Sequence, residues 1–257
     1  MIKRLVAGLA VPLMLWGSVA QAEFQRADLD RLALDVWRVR AAFHTYTVMQ
    51  GATEYLQALE DMIADTDDVL DSLESSVETD QEAAFIEQVR ESWSRYRDLA
   101  NSNTIAEMGY TEHYTIVDLE SEALGLDRLI SGQRTSVSGK GEDLAQLAVL
   151  LQHLASEYMY VAGSPDGGSG AIGTGAEEGR LEFVRAVPEF ETKLKAAQQA
   201  WRGNPDISRE LRSVASKWGF IRESLVKFYE NSVPFIVHRY SVQMVDSLNT
   251  AAEMARQ

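Results

Sequence analysis

The spacing of the apolar residues constrains this chain more than any other feature, because they fall at three- and four-residue steps almost from one end to the other. Between Ala27 and Val77 that step is kept by Leu29, Leu32, Val36, Val39, Phe43, Tyr46 and Met49, then by Leu56, Leu59, Met62, Ile63, Val69, Leu70 and Leu73. Such spacing aligns side chains on one face of an α-helix and would scatter them over both faces of a strand. The same pattern predicts helices over Asp80–Ala100, Thr104–Arg134, Glu142–Ala162, Glu177–Trp201 with a kink at Pro188, Asp206–Asn231 and Pro234–Arg256. Asp80 and Asp206 read as N-caps, Pro205 and Pro234 as first-turn residues, and Gly203-Asn204 as a stop. The expected fold class is all-α, an antiparallel helical bundle. Two stretches fall outside the pattern: Ser136–Gly141 is a short polar connector, and Gly163–Gly179, with seven glycines, reads as a flexible loop.

Residues 1–22 carry a different signal. Lys3 and Arg4 precede an apolar run from Leu5 to Trp16 that ends in Ala20-Gln21-Ala22, the pattern of a cleavable secretory signal peptide, so the mature chain is expected to begin at Glu23 in the periplasm or outside the cell. The run is shorter than the roughly 20 residues a membrane span needs. The next most apolar segment, Leu144–Gly163, contains Gln146, Gln152, His153 and Glu157, which are costly in hydrocarbon, so no later membrane span is expected. With no cysteine, the exported chain must rely on an ordinary hydrophobic core, for which 235 mature residues suffice. Those residues hold 22 basic against 39 acidic side chains, a net charge of −17. Such a surface repels nucleic acid and anionic lipid and lacks the basic stripe that either would require.

A weak internal repeat divides the mature chain into two expected modules, 23–135 and 142–257. An offset of 125 residues pairs Trp93 with Trp218, Arg97 with Arg222, His113 with His238, Val89 with Val214 and Val117 with Val242; upstream, an offset of 112 pairs Tyr46 with Tyr158 and Gly51 with Gly163. The change of offset falls in the Gly-rich loop.

Candidate chemistry follows from these pairs. Trp93 with Arg97, and Trp218 with Arg222, are i, i+4 neighbours, so each guanidinium lies beside an indole. His113 and His238 fall near the start of the next helix. Together the six residues could line a site for a small anion, which arginine grips in bidentate fashion; alternatively the indoles are core and the arginines extend to solvent. The aromatic group Phe43, Tyr46, Tyr158 and Tyr160 reads equally as an anchor for a protein partner or as core. No catalytic residues are expected: there is no G-x-S-x-G or HExxH, and Glu112-His113 with Asp118 and Glu120 scatters around a helix. No metal or other cofactor is expected either. Cysteine-linked haem is excluded, and the residues three before His44, His113, His153 and His238 are Ala41, Tyr110, Leu150 and Phe235, not the glutamates of a di-iron bundle.

The aromatic-to-glycine ends AAFHTYTVMQG and LQHLASEYMYVAG, each followed by a Trp-bearing helix (WSRYRDL, WGFIRESL) and a last helix, resemble the PilJ-type periplasmic sensor module. That module occurs in type IV pilus chemotaxis transducers and, in a relative, in nitrate-sensing histidine kinases. The resemblance implies two helical copies over residues 30–257 and a sensor-like, ligand-binding role. It departs at the family's basic GRQRM-like run: Arg38 and Arg40 stand in one copy, Gln152 and His153 in the other, and Gly132-Gln133-Arg134 lacks the first arginine and the methionine. Nitrate recognition is therefore not carried over. The expected function is an exported, non-catalytic, sensor-like module that binds a small anionic ligand or an envelope protein. The alternative is a structural or adaptor protein of the cell envelope with no small-molecule site. An enclosed polar cavity facing Arg97 or Arg222 favours the first, an exposed aromatic patch the second. The oligomeric state is not legible in the sequence.

Overall fold

A computed structural model of the chain describes residues 26–135, 139–164, 182–228, 230 and 232–257. The expected leader, most of the Gly-rich stretch and half of the polar connector lie outside the described residues. Within them, nine helices and no strand are present: α1 (Arg26–Val48), α2 (Thr53–Ser75), α3 (Asp80–Ala100), the single turn α4 (Ile105–Met108), α5 (His113–Arg134), α6 (Glu142–Gly163), α7 (Phe183–Ala200), α8 (Pro205–Val226) and α9 (Pro234–Arg256). None of them is long and apolar enough to cross a membrane. The all-α bundle expected from the spacing is the observed fold.

Helix packing runs in two closed rings. In one, α1 touches α2 and α5, and α3 closes the ring by touching both of them; in the other, α6 touches α7 and α9, and α8 closes it likewise. The two rings share one seam, where α1 lies along α6. Burial follows from this position: 18 of the 23 residues of α1 are buried, against five in α2, because a central helix faces protein on most sides. One consequence is that the buried charged residues of α1 and α6, such as Asp30, Asp35, Arg40 and Glu157, must find partners inside.

Local chemistry sets the boundaries. The stripe from Ala27 to Val77 is two helices, since Gln50 (φ +57°) and Gly51 (φ +76°) turn the chain left-handed and stop α1. A Cβ at Gly51 would sit 2.9 Å from Cα of Ala106, so only glycine fits this close approach. Thr104–Arg134 is likewise split. Gly109 (φ +77°) ends α4, and Asn103 pins that turn to the end of α1 by donating to the Phe43 carbonyl (3.1 Å) and Thr47 Oγ1 (2.9 Å). The N-caps are Thr79, in a capping box with Glu82, and Asn204, whose side chain accepts from the N–H groups of Asp206 and Ile207. Asp80 and Asp206 instead occupy the first turns, where their charge suits the helix dipole. Pro188 lies inside α7, and the carbonyl it leaves unbonded belongs to exposed Val184 and can meet water.

The antiparallel run gives the molecule two distinct ends. At one, Arg26 and Arg256 lie close together: buried Asp30 accepts from Arg26 (2.9 Å), from Arg134 at the end of α5 (2.9 Å) and from Arg256 (3.5 Å), and Arg26 also pairs with Glu142 at the start of α6 (3.0 Å). At the other end, Thr47 bonds Thr111 (2.9 Å), Tyr158 stacks edge-on with Phe183 and Phe228, and the Val233 N–H donates to the Tyr158 hydroxyl (2.8 Å).

Candidate functional site

The six residues singled out by sequence fall into separate places. Trp93 is buried and donates its indole N–H to Asp67 on α2 (2.7 Å), and Arg97 reaches the same carboxylate (3.5 Å). Trp218 is buried and donates to Glu191 on α7 (3.2 Å), which Arg222 also grips. The two corners are thus alike, one per ring. In each, the indole and the guanidinium share one acid from the preceding helix. Arg97 is 37% exposed and Arg222 52%, and each already holds a carboxylate. His113 is exposed, beside Tyr114. His238 is half-buried, with Nδ1 3.5 Å from Thr45 Oγ1 and its ring edge-on to Tyr55, and burial lowers its pKa. The structure brings each Trp–Arg pair together and leaves both histidines out of those corners.

Of the aromatic group, Phe43, Tyr46 and Tyr158 are core and Tyr160 is partly buried against it.

Sequence reasoning missed the strongest electrostatic feature, which lies in the seam. Arg40 is fully buried. Its Nε donates to Glu120 on α5 (2.6 Å), and its terminal nitrogens reach Ser156 (2.8 Å) and Glu157 (3.0 Å) on α6. Its guanidinium also lies 5.1 Å from the Tyr160 ring centroid and 5.7 Å from that of Trp37. Burial opposes its charge, but Glu120 and Glu157 outweigh burial and push its pKa up, so Arg40 stays charged. Tyr96, whose pKa burial raises, stays neutral and donates to the Val36 carbonyl (2.8 Å). His153 stacks on Trp37 with ring centroids 3.5 Å apart; burial first, and Arg40 second, hold its pKa well below the usual value. A neutral His153 beside Arg40 avoids placing two cations together. The signal was present in the spacing, because Arg40 falls in phase with Val36 and Phe43 on the apolar stripe, where a charge is out of place unless paired.

This constellation lacks a path for chemistry. Its acids are sealed in the seam and engaged with arginine, which leaves neither a free base nor room for substrate. No group of histidine, aspartate and glutamate among the described residues is arranged to hold a metal ion. An open groove of about 390 Å³ lies near Arg256, lined by Asp28, Asp30, Asp35, Asp65 and Glu253 with Arg31, Arg38 and Arg256 interleaved. Its acids are largely engaged: Arg38 (3.1 Å) and Arg31 (3.5 Å) both hold Asp35, whose pKa burial nevertheless raises.

The outer surface shows a sharper asymmetry. The exposed large apolar side chains among the described residues are Met108, Tyr110, Tyr114, Val117, Val184, Phe220, Val226, Phe235, Ile236 and Val242. Every one lies in the half of its helix, or the turn before it, nearest the end opposite Arg26 and Arg256. All but Val184, at the start of α7, fall in two corners. One is α4 with the start of α5; in the other, Phe220 of α8 stacks on half-buried Tyr240 of α9 (ring centroids 5.7 Å apart).

The chain matches no family model, and no curated protein or solved structure is significantly similar to it.

Proposed function

We propose that this protein is a non-catalytic interaction module of the cell envelope that engages a protein partner through the end of the bundle remote from Arg26 and Arg256. One observation carries the reading: the exposed large apolar residues gather at that end and leave the other without any among the described residues. Surfaces of this kind, rich in tyrosine, phenylalanine and methionine, are where partners dock. The reading takes residues 1–22 as a cleaved leader, which puts the partner in the periplasm or outside the cell. It favours the adaptor role over a small-anion sensor, because Arg97 and Arg222 are solvent-facing and already hold carboxylates.

The test is site-specific photocrosslinking in living cells. A photoreactive residue at Tyr114 or Phe235 is expected to give a discrete protein adduct, and one at Glu74 or Arg209, near the opposite end, none. Equal adducts at both ends, or none at either, would count against the proposal. The sensor reading is tested separately by thermal unfolding against small anions, amino acids and divalent metals. No rise in midpoint is expected; a rise with an anion that Arg97→Ala or Arg222→Ala removes would restore that reading.

A further inference from the structure

The two apolar corners differ in charge, and the difference points to what one of them binds. We infer that the corner built by α4 and the first turns of α5 docks a cationic, apolar segment of a protein partner. This rests on the interaction reading above and assigns its chemistry.

Over residues 107–118 the exposed apolar side chains are Met108 (50%), Tyr110 (52%), Tyr114 (79%) and Val117 (41%). Glu107, Glu112 and Asp118 are interleaved with them, all exposed, and none has an ion pair or side-chain hydrogen bond among the described residues. Elsewhere acids are commonly matched, as Asp71 and Glu74 are by Arg90 and Glu191 is by Arg222. The segment contains no lysine or arginine. Arg95, on the neighbouring α3, is already held by Glu91 and Glu122 (both 3.0 Å). Tyr114, Val117, Asp118 and Ser121 fall at i, i+3, i+4 and i+7, so aromatic, aliphatic and acidic groups share one outward stripe of α5. The companion corner is neutral by comparison. Glu223 and Glu230 are held by Lys227 (2.9 and 3.9 Å), and exposed Arg239 carries the charge without an ion pair among the described residues. A partner that offers apolar groups with lysine or arginine between them therefore fits the first corner and finds no unpaired acid to meet at the second.

The probe is a fluorescent synthetic peptide of lysine and leucine at helical spacing, with a glutamate–leucine peptide as control, titrated by anisotropy against the full chain. Saturable binding of the basic peptide is expected, weakening as salt rises and absent for the acidic one. The variant Glu107→Gln/Glu112→Gln/Asp118→Asn is expected to bind about ten-fold more weakly, as is Tyr114→Ala. Glu60→Gln/Asp68→Asn/Glu87→Gln, which removes the same charge elsewhere, should stay within about two-fold of the parent. Equal loss in both triple variants, or no saturable binding, overturns the inference. So does concentration-dependent sedimentation abolished by Tyr114→Ala, which would make the occupant a second copy of this chain. If the inference fails while crosslinks at Phe235 persist, the interaction reading stands and only this corner's role falls.

Discussion

Arg40 on α1 and Gln152 on α6 occupy the positions that the 112-residue offset matches, one on each side of the seam, and their surroundings could hardly differ more. Around Arg40 stand Glu120, Ser156 and Glu157; the matching positions around Gln152 are Val245, His44 and Thr45. Gln152 makes one long bond to the Trp37 carbonyl (3.5 Å) and lines a cleft of about 30 Å³, where buried Ser241 Oγ has no partner among the described residues. Such a space holds little more than water. The Trp–Arg–acid corners of the two rings, by contrast, are alike. The rings therefore keep their outer hairpins in common and diverge where they meet. A seam between such rings can be filled by a neutral set of side chains, so the charge around Arg40 fixes which partner face α1 meets more than it adds to stability.

That comparison can be broken most forcibly at Arg40. Arg40→Ala strands two buried carboxylates and should cost about 3–5 kcal/mol in denaturant unfolding, whereas Gln152→Ala should cost less than about 1 kcal/mol. Copying the neutral side onto the charged one, as Arg40→Gln/Glu120→Val/Glu157→Thr, should recover most of that loss. A triple variant as unstable as Arg40→Ala would mean that the charges are indispensable.

The next effect depends on pH. The pKa of His153 is lower in the folded chain than in the unfolded, so the unfolded chain takes the proton first. Its contribution to stability is complete above about pH 6.5 and is lost below it, by up to about 1.4 kcal/mol per pH unit. The matched position on α1 is Ala41, so the offset does not repeat this imidazole. His153→Phe, which can keep the stack on Trp37, should flatten the decline between pH 7 and pH 5. Asp28, Asp35 and Asp127, whose pKa values burial raises, and His238, whose pKa burial lowers, titrate in parent and variant alike, so the difference between the two isolates His153. An unchanged slope would remove the imidazole from the account.

Smaller effects sharpen the likeness of the corners. Trp93→Phe and Trp218→Phe should each cost about 1 kcal/mol for the lost indole bond, and by similar amounts; a several-fold disparity would end the equivalence. Ser241→Ala, at the position matching Ile116, should be neutral or stabilise by less than about 1 kcal/mol, since it removes a buried hydroxyl with no partner. A clear loss would show that water fills the cleft and bonds that hydroxyl.

Periodicity made the helices legible because it records which face is buried, and Pro205 and Pro234 marked starts that depend on neighbouring residues alone. The breaks at Gly51 and Gly109 left no mark in the apolar phase, which runs on through both; the first showed only in the aromatic-to-glycine likeness, and its need for glycine rests on a left-handed φ and on the approach of Ala106. The Trp–Arg pairs were visible as i, i+4 neighbours, but Asp67 and Glu191, which hold them, come from another helix and leave no mark in the pairs themselves. The Arg40 cluster joins residues 80 and 117 positions apart, so its three members stand in the sequence as unrelated charges on apolar stripes. The apolar end was beyond reach for the same reason: exposure depends on which neighbours a helix acquires, and Tyr114 and Tyr46 look alike until the rings close.

Asp30 has a mechanical consequence. Arg26, at the start of α1, and Arg256, at the end of α9, both bond this one carboxylate. Both flanks of the described chain leave from this one end, so tension drawn through them peels α1 from α9 there, and the bonds to this carboxylate take the load before either ring does. The apolar end, a bundle's length away, lies off the line of force, so a partner docked there would be held by a surface that stays slack while the flanks are pulled.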